Sequence, residues 1–477
     1  MAAEYGLYIN GDWVRTPQTI TIDNPAIGSP VASVGVADDV EVRRAIEAAS
    51  QSLKEWSAMP AKDRAIYLRA IADRIREENK RLADILTAEQ GKPLAEAKAE
   101  VLIAADYFEW NSEEAKRVYG EMIPASTSQK RLLALRQPVG VAAAITPWNF
   151  PSSMIARKVS PALAAGCTVV IKPSSLTPLS ALEMARIFDE VGLPMGVANV
   201  VVGPAEQVAE EILSNPLVRK ISFTGSTEVG KNLMAKASRD LKRISLELGG
   251  HAPFIVLDDA DLDQAAAGVI ASKFRNAGQT CICANRLYVQ AGVYREFAEK
   301  LTERVKALQV GKGTDPGVDV GPMINAAALE KVDHQVRDAL KRGGCVLVGG
   351  ESVAVPDANG YFYAPTLVAD LSHDALLAQE ETFGPLLGMW SFSTDEEAIH
   401  LANATPYGLS AYFYGRDMIR IVRMYEDLQY GIIGINDPVP TVVQAPFGGM
   451  KHSGFGREGG HQGLDEYLEW KFVSVGM

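Results

Sequence analysis

Apolar residues recur at mostly helical spacing through residues 61–90, at Ile71, Ile75, Leu82, Ile85 and Leu86, and Gly91 stands where a helix C-cap belongs. The pattern predicts one amphipathic helix closed by a glycine. From residue 139 the rhythm changes. Short apolar runs (Val139–Ile145, Val169–Ile171, Val200–Val202, Ile221–Phe223) alternate with helical stretches at Leu179–Val191 and Ala205–Leu213. Such alternation implies right-handed βαβ units on a parallel sheet, the architecture that binds dinucleotides at its strand C-termini. Further strands near Phe254–Leu257, Arg286–Val289 and Gly431–Ile435 suggest a second α/β unit. The polar, β-leaning stretch Gly120–Leu135 reads as a hairpin leaving the first unit. Tyr467–Val475 reads as a strand that pairs with it or with another subunit.

Composition narrows the class. A length of 477 residues suggests about three units at roughly 150 residues each. With 47% apolar and 22% charged residues the chain reads as globular, not disordered. A net charge of −12 and the absence of a basic run argue against a nucleic-acid partner. No stretch approaches the ~18 apolar residues that a membrane span needs, and Met1–Gly6 lacks a basic n-region, so neither a membrane partner nor a secretory signal is expected. Cys167, Cys281, Cys283 and Cys345 are too few and too irregular for a disulfide framework, which favours a reducing, cytoplasmic setting. Neither the six histidines nor Cys281-x-Cys283 has the spacing of a metal site, and no metal is expected.

Four segments carry chemistry. Phe223-Thr224-Gly225-Ser226 follows a predicted strand and opens a helix; Gly225 admits close backbone approach, and Ser226 caps the helix or donates to a phosphate. Alone, it suits an ordinary strand–turn–helix corner equally well. Cys281, in Gly278-Gln279-Thr280-Cys281-Ile282-Cys283, has polar and glycine neighbours suited to an accessible thiol, although cysteine count alone favours an inert role. Glu247, in Leu246-Glu247-Leu248-Gly249-Gly250, ends a predicted strand. Burial there raises a carboxylate toward a useful general base, whereas a strand-end acid that simply reaches water is the blander reading. Asn149 offers an amide donor in a loop stiffened by Pro147 and Pro151, as an oxyanion hole requires; a plain loop asparagine is the alternative. Gly454-Phe455-Gly456-Arg457-Glu458-Gly459 matches GxGxxG literally, but no predicted strand precedes it, and it reads as a tight turn.

Together with Lys172-Pro173-Ser174-Ser175, Glu381-Thr382-Phe383-Gly384-Pro385 and Pro446-Phe447-Gly448-Gly449, these segments resemble the aldehyde dehydrogenase superfamily over essentially the whole chain. The resemblance implies that Cys281 attacks an aldehyde, Asn149 and the Cys281 N–H hold the oxyanion, and Glu247 activates the water that hydrolyses the thioester. It implies cofactor contacts from Trp148, Lys172, Gly225, Ser226, Glu381 and Phe383. NAD-preferring relatives often carry glutamate where Ser175 stands, so NADP is expected as cofactor, with NAD possible. A CoA-acylating relative usually lacks the glutamate found here as Glu247, and a non-enzymatic relative would lack a catalytic residue.

Within the superfamily, Phe274-Arg275-Asn276-Ala277, Ala156-Arg157-Lys158 and Cys283 look most like succinate-semialdehyde dehydrogenases. That implies carboxylate capture by Arg157 and Arg275, with structural ion-pairing as the alternative. Thr441 replaces the family's serine contact, and Phe150 and Phe447 are expected to line the same site. The unusual loop Asn436–Pro440 leaves glutarate semialdehyde, 2-oxoglutarate semialdehyde, a hydroxyaldehyde or a broad range of small aldehydes open. If residues 281–283 are extended, both sulfurs lie on one side and a reversible Cys281–Cys283 disulfide is feasible; a small buried residue is the bland reading of Cys283. The expected fold is α/β. A Rossmann-like NAD(P)-binding domain (1–118 and 139–249) is followed by an α/β catalytic domain (250–450). A small β oligomerisation element (119–138 and 451–477) implies a homodimer or homotetramer.

Overall fold

The apolar runs after residue 139 form a parallel sheet whose central order is Arg243–Glu247, Val218–Thr224, Val141–Ile145, Thr168–Lys172, Ala198–Val200. Leu7–Ile9 and Asp12–Val14 extend one edge antiparallel. The computed structural model describes residues 3–477; Met1 and Ala2, part of the stretch read above for a leader, lie outside the described residues. Strand order reverses between Val141–Ile145 and Val218–Thr224, which opens a crevice at their C-terminal ends.

A second sheet runs Cys345–Val348, Thr366–Ala369, Leu386–Phe392, Ala284–Gln290, Ala252–Val256, Ser410–Tyr414, Ile432–Ile435, and only its first pair is antiparallel. Two large apolar cores follow the two sheets. One gathers residues between Leu7 and Leu248 with Leu464, Tyr467 and Leu468; the other runs from Ala252 to Tyr430. Strands buried on both faces explain why the runs are continuously apolar and do not alternate.

Glu121–Ile123 and Lys130–Pro138 form the expected hairpin, and Leu468–Gly476 adds to it antiparallel along its whole length. Met122, Leu135, Trp470 and Phe472 stand exposed on this three-stranded sheet. The rest of the tail behaves differently from the expectation for 451–477. Gly454–Phe455 forms an edge strand of the first sheet against Arg243–Glu247, and Leu464 and Tyr467 sit in the core beside that sheet.

The helix expected across 61–90 is two helices, Ala61–Glu77 and Asn79–Gln90. The break falls at Glu78, whose carboxylate takes salt bridges of 2.5 Å from each of Arg74, Arg81 and Arg186. Gly91 does adopt the left-handed cap, at φ 95°.

Phe254, at the centre of the second sheet, is fully buried, with ring centroids of Tyr412 and Tyr414 at 5.8 and 5.1 Å. Phe254→Ala is expected to cost about 3–5 kcal/mol and to lower the thermal unfolding midpoint clearly. An unchanged midpoint would contradict this packing.

Candidate active site

Each chemical segment emerges from a strand or helix end that fixes it. Val141–Ile145 runs into Pro147-Trp148-Asn149, and the chain then enters the helix Pro151–Ala165 with proline at its first position. Val218–Thr224 runs into Gly225-Ser226 and the helix Thr227–Ala237, where the Ser226 hydroxyl accepts the Val229 N–H at 3.3 Å. Glu247 closes the strand Arg243–Glu247. Cys281 lies just before Ala284–Gln290, after a turn in which Asn276, Ala277 and Gly278 all take positive φ (52°, 54° and 71°). Such geometry costs a non-glycine residue roughly 1–2 kcal/mol and persists only when its surroundings hold it. Here the Asn276 amide donates to the carbonyls of Asn149 (2.9 Å) and Gln279 (3.2 Å), and Gln90 donates to Asn276 Oδ1 at 2.9 Å.

Two cavities meet at Cys281. One, of about 390 Å³, is lined by Cys281, Phe150, Arg157, Arg275, Thr441 and Phe447, among others. The other, of about 290 Å³, lies at the strand-order reversal and is lined by Trp148, Asn149, Gly225, Ser226, Glu247, Cys281, Glu381 and Phe383, with Lys331 at its edge. Phe383 is held at φ 57° with its ring edge-on to Trp148, centroids 5.5 Å apart. The Glu381 carboxylate accepts the Gly250 N–H at 2.8 Å, and desolvation pushes it up to about 7. Lys172 and Ser175 do not line this cavity. They stand at the end of the neighbouring strand, the Lys172 ammonium donating to the Pro173 carbonyl (3.0 Å) and the Ser175 hydroxyl to the Gly203 carbonyl (3.1 Å). Burial pulls Lys172 down to about 8.

Position at the order reversal, a helix N-terminus behind Gly225-Ser226 and aromatic walls all suit a dinucleotide.

The electrostatics at the junction are set by burial. Glu247 is 3% exposed, makes no conventional hydrogen bond and has Arg157 as its nearest cation at 3.9 Å. Desolvation raises its carboxyl, and Arg157 only partly opposes this. The Cys281 thiol is likewise raised well above its usual range, first by burial and then by the Glu247 charge. Asn149, 2% exposed, donates through Nδ2 to the Gln279 carbonyl at 3.0 Å, while its Oδ1 has no partner. One N–H of that amide remains free.

Arg157 and Arg275 share the larger cavity but differ in commitment. Arg157 is buried, pairs with Glu458 at 2.6 Å and lies 3.9 Å over the Phe447 ring. Arg275 is half-buried, lies 5.4 Å from the Phe150 ring centroid, and forms no salt bridge among the described residues. Cys283 departs from its expected geometry. Residues 281–283 form a turn closed by Cys283 N–H to the Thr280 carbonyl (3.2 Å), not an extended segment, because the chain is still leaving the left-handed turn before it. Cys283 is fully enclosed, facing the Gly278 carbonyl (3.3 Å) and Lys273 (3.7 Å), and lines neither cavity.

Sequence reading missed several residues here. Glu458, inside the glycine-rich decoy, pairs with both Arg157 and Lys158. Lys92 and Glu100 form a buried salt bridge beside Asn149, and Lys331 donates to the Glu381 carbonyl at 2.6 Å. Only the oddity of a charged residue among glycines could have flagged Glu458; the others carry no local signal.

The Aldehyde dehydrogenase family matches residues 13–473. Succinate-semialdehyde dehydrogenase (NADP(+)) of Escherichia coli (strain K12) is 51% identical, over 98% of this chain and 97% of its own length. Glutarate-semialdehyde dehydrogenase of Pseudomonas aeruginosa is 50% identical, over 98% and 97%. The crystal structure of an E. coli NADP-dependent enzyme superposes with a TM-score of 0.98 at 50% identity, covering 100% of this chain and 98% of that one. Whole-length agreement in sequence and fold, with cysteine, glutamate and asparagine segments converging on one junction, makes this chain a member of the aldehyde dehydrogenase family.

Proposed function

We propose that this chain oxidises an aldehyde with an anionic tail, succinate semialdehyde or its longer homologue glutarate semialdehyde, to the acid, with NADP as oxidant. The observation that carries the reading is Arg275, a guanidinium without a carboxylate partner in the cavity that ends at Cys281. Unpaired guanidinium groups bind carboxylates strongly and bidentately. Arg157, already neutralised by Glu458, supplies field and shape more than a free fork. Thr441 offers a hydroxyl on the same wall. The relatives named above act on semialdehydes with such tails, which supports the assignment.

In this reading the Cys281 sulfur bonds to the aldehyde carbon as its thiol proton leaves toward Glu247. The oxygen becomes an oxyanion, received by the free N–H of the Asn149 amide and the Cys281 backbone N–H. Gly225, Ser226, Glu381 and Phe383 would hold a nicotinamide dinucleotide beside that carbon, and the cofactor would supply the two-electron oxidant. The acyl group is then a thioester on Cys281; Glu247, having passed the thiol proton to solvent, takes a proton from the attacking water and returns it to the departing sulfur, so that the acid and the thiol are released. A carboxylate raised by burial is a better base near neutral pH than an exposed one.

Ser175 places no negative charge beside a ribose 2′-position, and Lys172 adds a cation nearby, which together favour NADP over NAD. We assign the cofactor unit to 1–118 and 139–249 and the catalytic unit to 250–450. The three-stranded sheet with exposed Met122, Trp470 and Phe472 is assigned to contact between subunits in a dimer or tetramer. A reducing compartment suits the nucleophilic thiol and the four unpaired cysteines. No helix among the described residues is long and apolar enough to cross a membrane.

Steady-state kinetics on a panel of charged and uncharged aldehydes with NADP and NAD test this reading. The expected result is a kcat/KM preference for the carboxylate-bearing aldehydes with NADP, reduced about 10- to 100-fold in Arg275→Ala, as the loss of a charge-assisted pair implies. Equal rates with an uncharged aldehyde would refute the anionic tail. The raised thiol yields a second expectation. Iodoacetamide alkylation of Cys281 in the cofactor-free enzyme should still accelerate above about pH 8.5, the midpoint of an ordinary thiol. A rate that levels off below neutrality would contradict the burial argument.

A further inference from the structure

Lys92 and Glu100 form a 2.6 Å salt bridge with both side chains almost wholly buried. Replacing such a pair by apolar residues is often neutral or stabilising, so stability alone is a weak reason for it. The remaining hydrogen bonds of the pair converge on one loop. The Lys92 ammonium donates to the Asn149 carbonyl at 2.7 Å and stands 3.9 Å from the Phe150 ring centroid. The free Glu100 oxygen accepts the N–H groups of Ser152 (2.9 Å) and Ser153 (3.2 Å), in the first turn of the helix that follows. The loop bearing Asn149 is therefore gripped from both ends by one ion pair. The Asn149 side chain itself has a single tether, to the Gln279 carbonyl. Its direction follows the backbone, whose Asn149 carbonyl Lys92 holds together with the Asn276 amide (2.9 Å).

We propose that Lys92 and Glu100 are positioning residues that aim the Asn149 amide at the oxyanion formed on Cys281. The proposal rests on the reading of Asn149 given above. Its signature is a loss in turnover without a matching loss in substrate affinity, and a dependence on Asn149 itself.

The test is a double-mutant cycle of Lys92→Met and Asn149→Ala, followed by kcat and KM with succinate semialdehyde and NADP. Lys92→Met is expected to lower kcat about 10- to 100-fold with KM within about 3-fold, since displacement of a reacting group by an ångström is worth up to ~10²-fold. In the Asn149→Ala background the same change should lower kcat less than about 3-fold, because the group it positions is gone. Equal losses in both backgrounds, or an unchanged kcat in Lys92→Met, would overturn the positioning role while leaving Asn149 intact. An Asn149→Ala enzyme with wild-type turnover would instead remove the premise. Should Lys92→Met fail to fold, Glu100→Gln carries the same cycle, because it keeps an acceptor for the two serine N–H groups while removing the charge that holds Lys92. Unchanged turnover in a folded Glu100→Gln would also overturn the proposal.

Discussion

The site depends on one close backbone approach. The strand that ends in Glu247 passes to the second sheet through Leu248-Gly249-Gly250-His251, and at Gly250 it meets the carbonyl of Cys281 so closely that any Cβ would overlap it. Only glycine permits that approach. The same Gly250 N–H donates to Glu381. One residue therefore ties the strand that ends in Glu247 to the loop bearing Cys281 and to Glu381. Two sheets, each with its own core, meet at this seam.

Around the seam, burial creates chemistry that charge balance then restrains. Glu247 and Cys281 are both shifted upward by desolvation, so neither group is ionised at little cost in the resting site. Glu458 pairs with both Arg157 and Lys158, and its charge offsets part of their downward pull on the Glu247 carboxyl. Glu458 itself is held below the ordinary carboxylate range by those cations, despite burial that pushes the other way. The acid beside the nucleophile stays high, and the acid behind it stays low. Arg275 stands outside this arrangement and forms no salt bridge among the described residues, with Glu96 on the same cavity wall.

Much of this was legible locally. Apolar runs located the central strands of the first sheet and three of the seven in the second; Gly225-Ser226 and Glu247 fell at strand ends, and Asn149 in a loop between prolines, as their neighbours implied. What escaped is long-range. Glu458 reaches Lys158 across 300 residues of chain, and its glycine-rich surroundings read as a turn. Lys92 follows Gly91, read only as a helix stop, yet its ammonium supports the Asn149 loop. Glu78, at the break between the two helices, pairs with Arg186 more than a hundred residues away as well as with its neighbours Arg74 and Arg81. The left-handed turn at Asn276 is imposed by partners on other elements, and it rotated Cys283 away from the extended geometry that spacing alone suggested. Patterns within a few residues reveal elements, whereas buried charge pairs are decided by the fold.

In the proposed reaction Cys281 carries the acyl group and Glu247 drives its release. The most direct measurement is mass spectrometry of peptides from Glu247→Gln enzyme quenched after mixing with succinate semialdehyde and NADP. A succinyl adduct confined to the peptide bearing Cys281 is expected, forming more slowly than in wild type because Glu247 also receives the thiol proton, and reaching one per active site with an equal amount of NADPH. Sustained turnover without an adduct, or an adduct on any other residue, would contradict it.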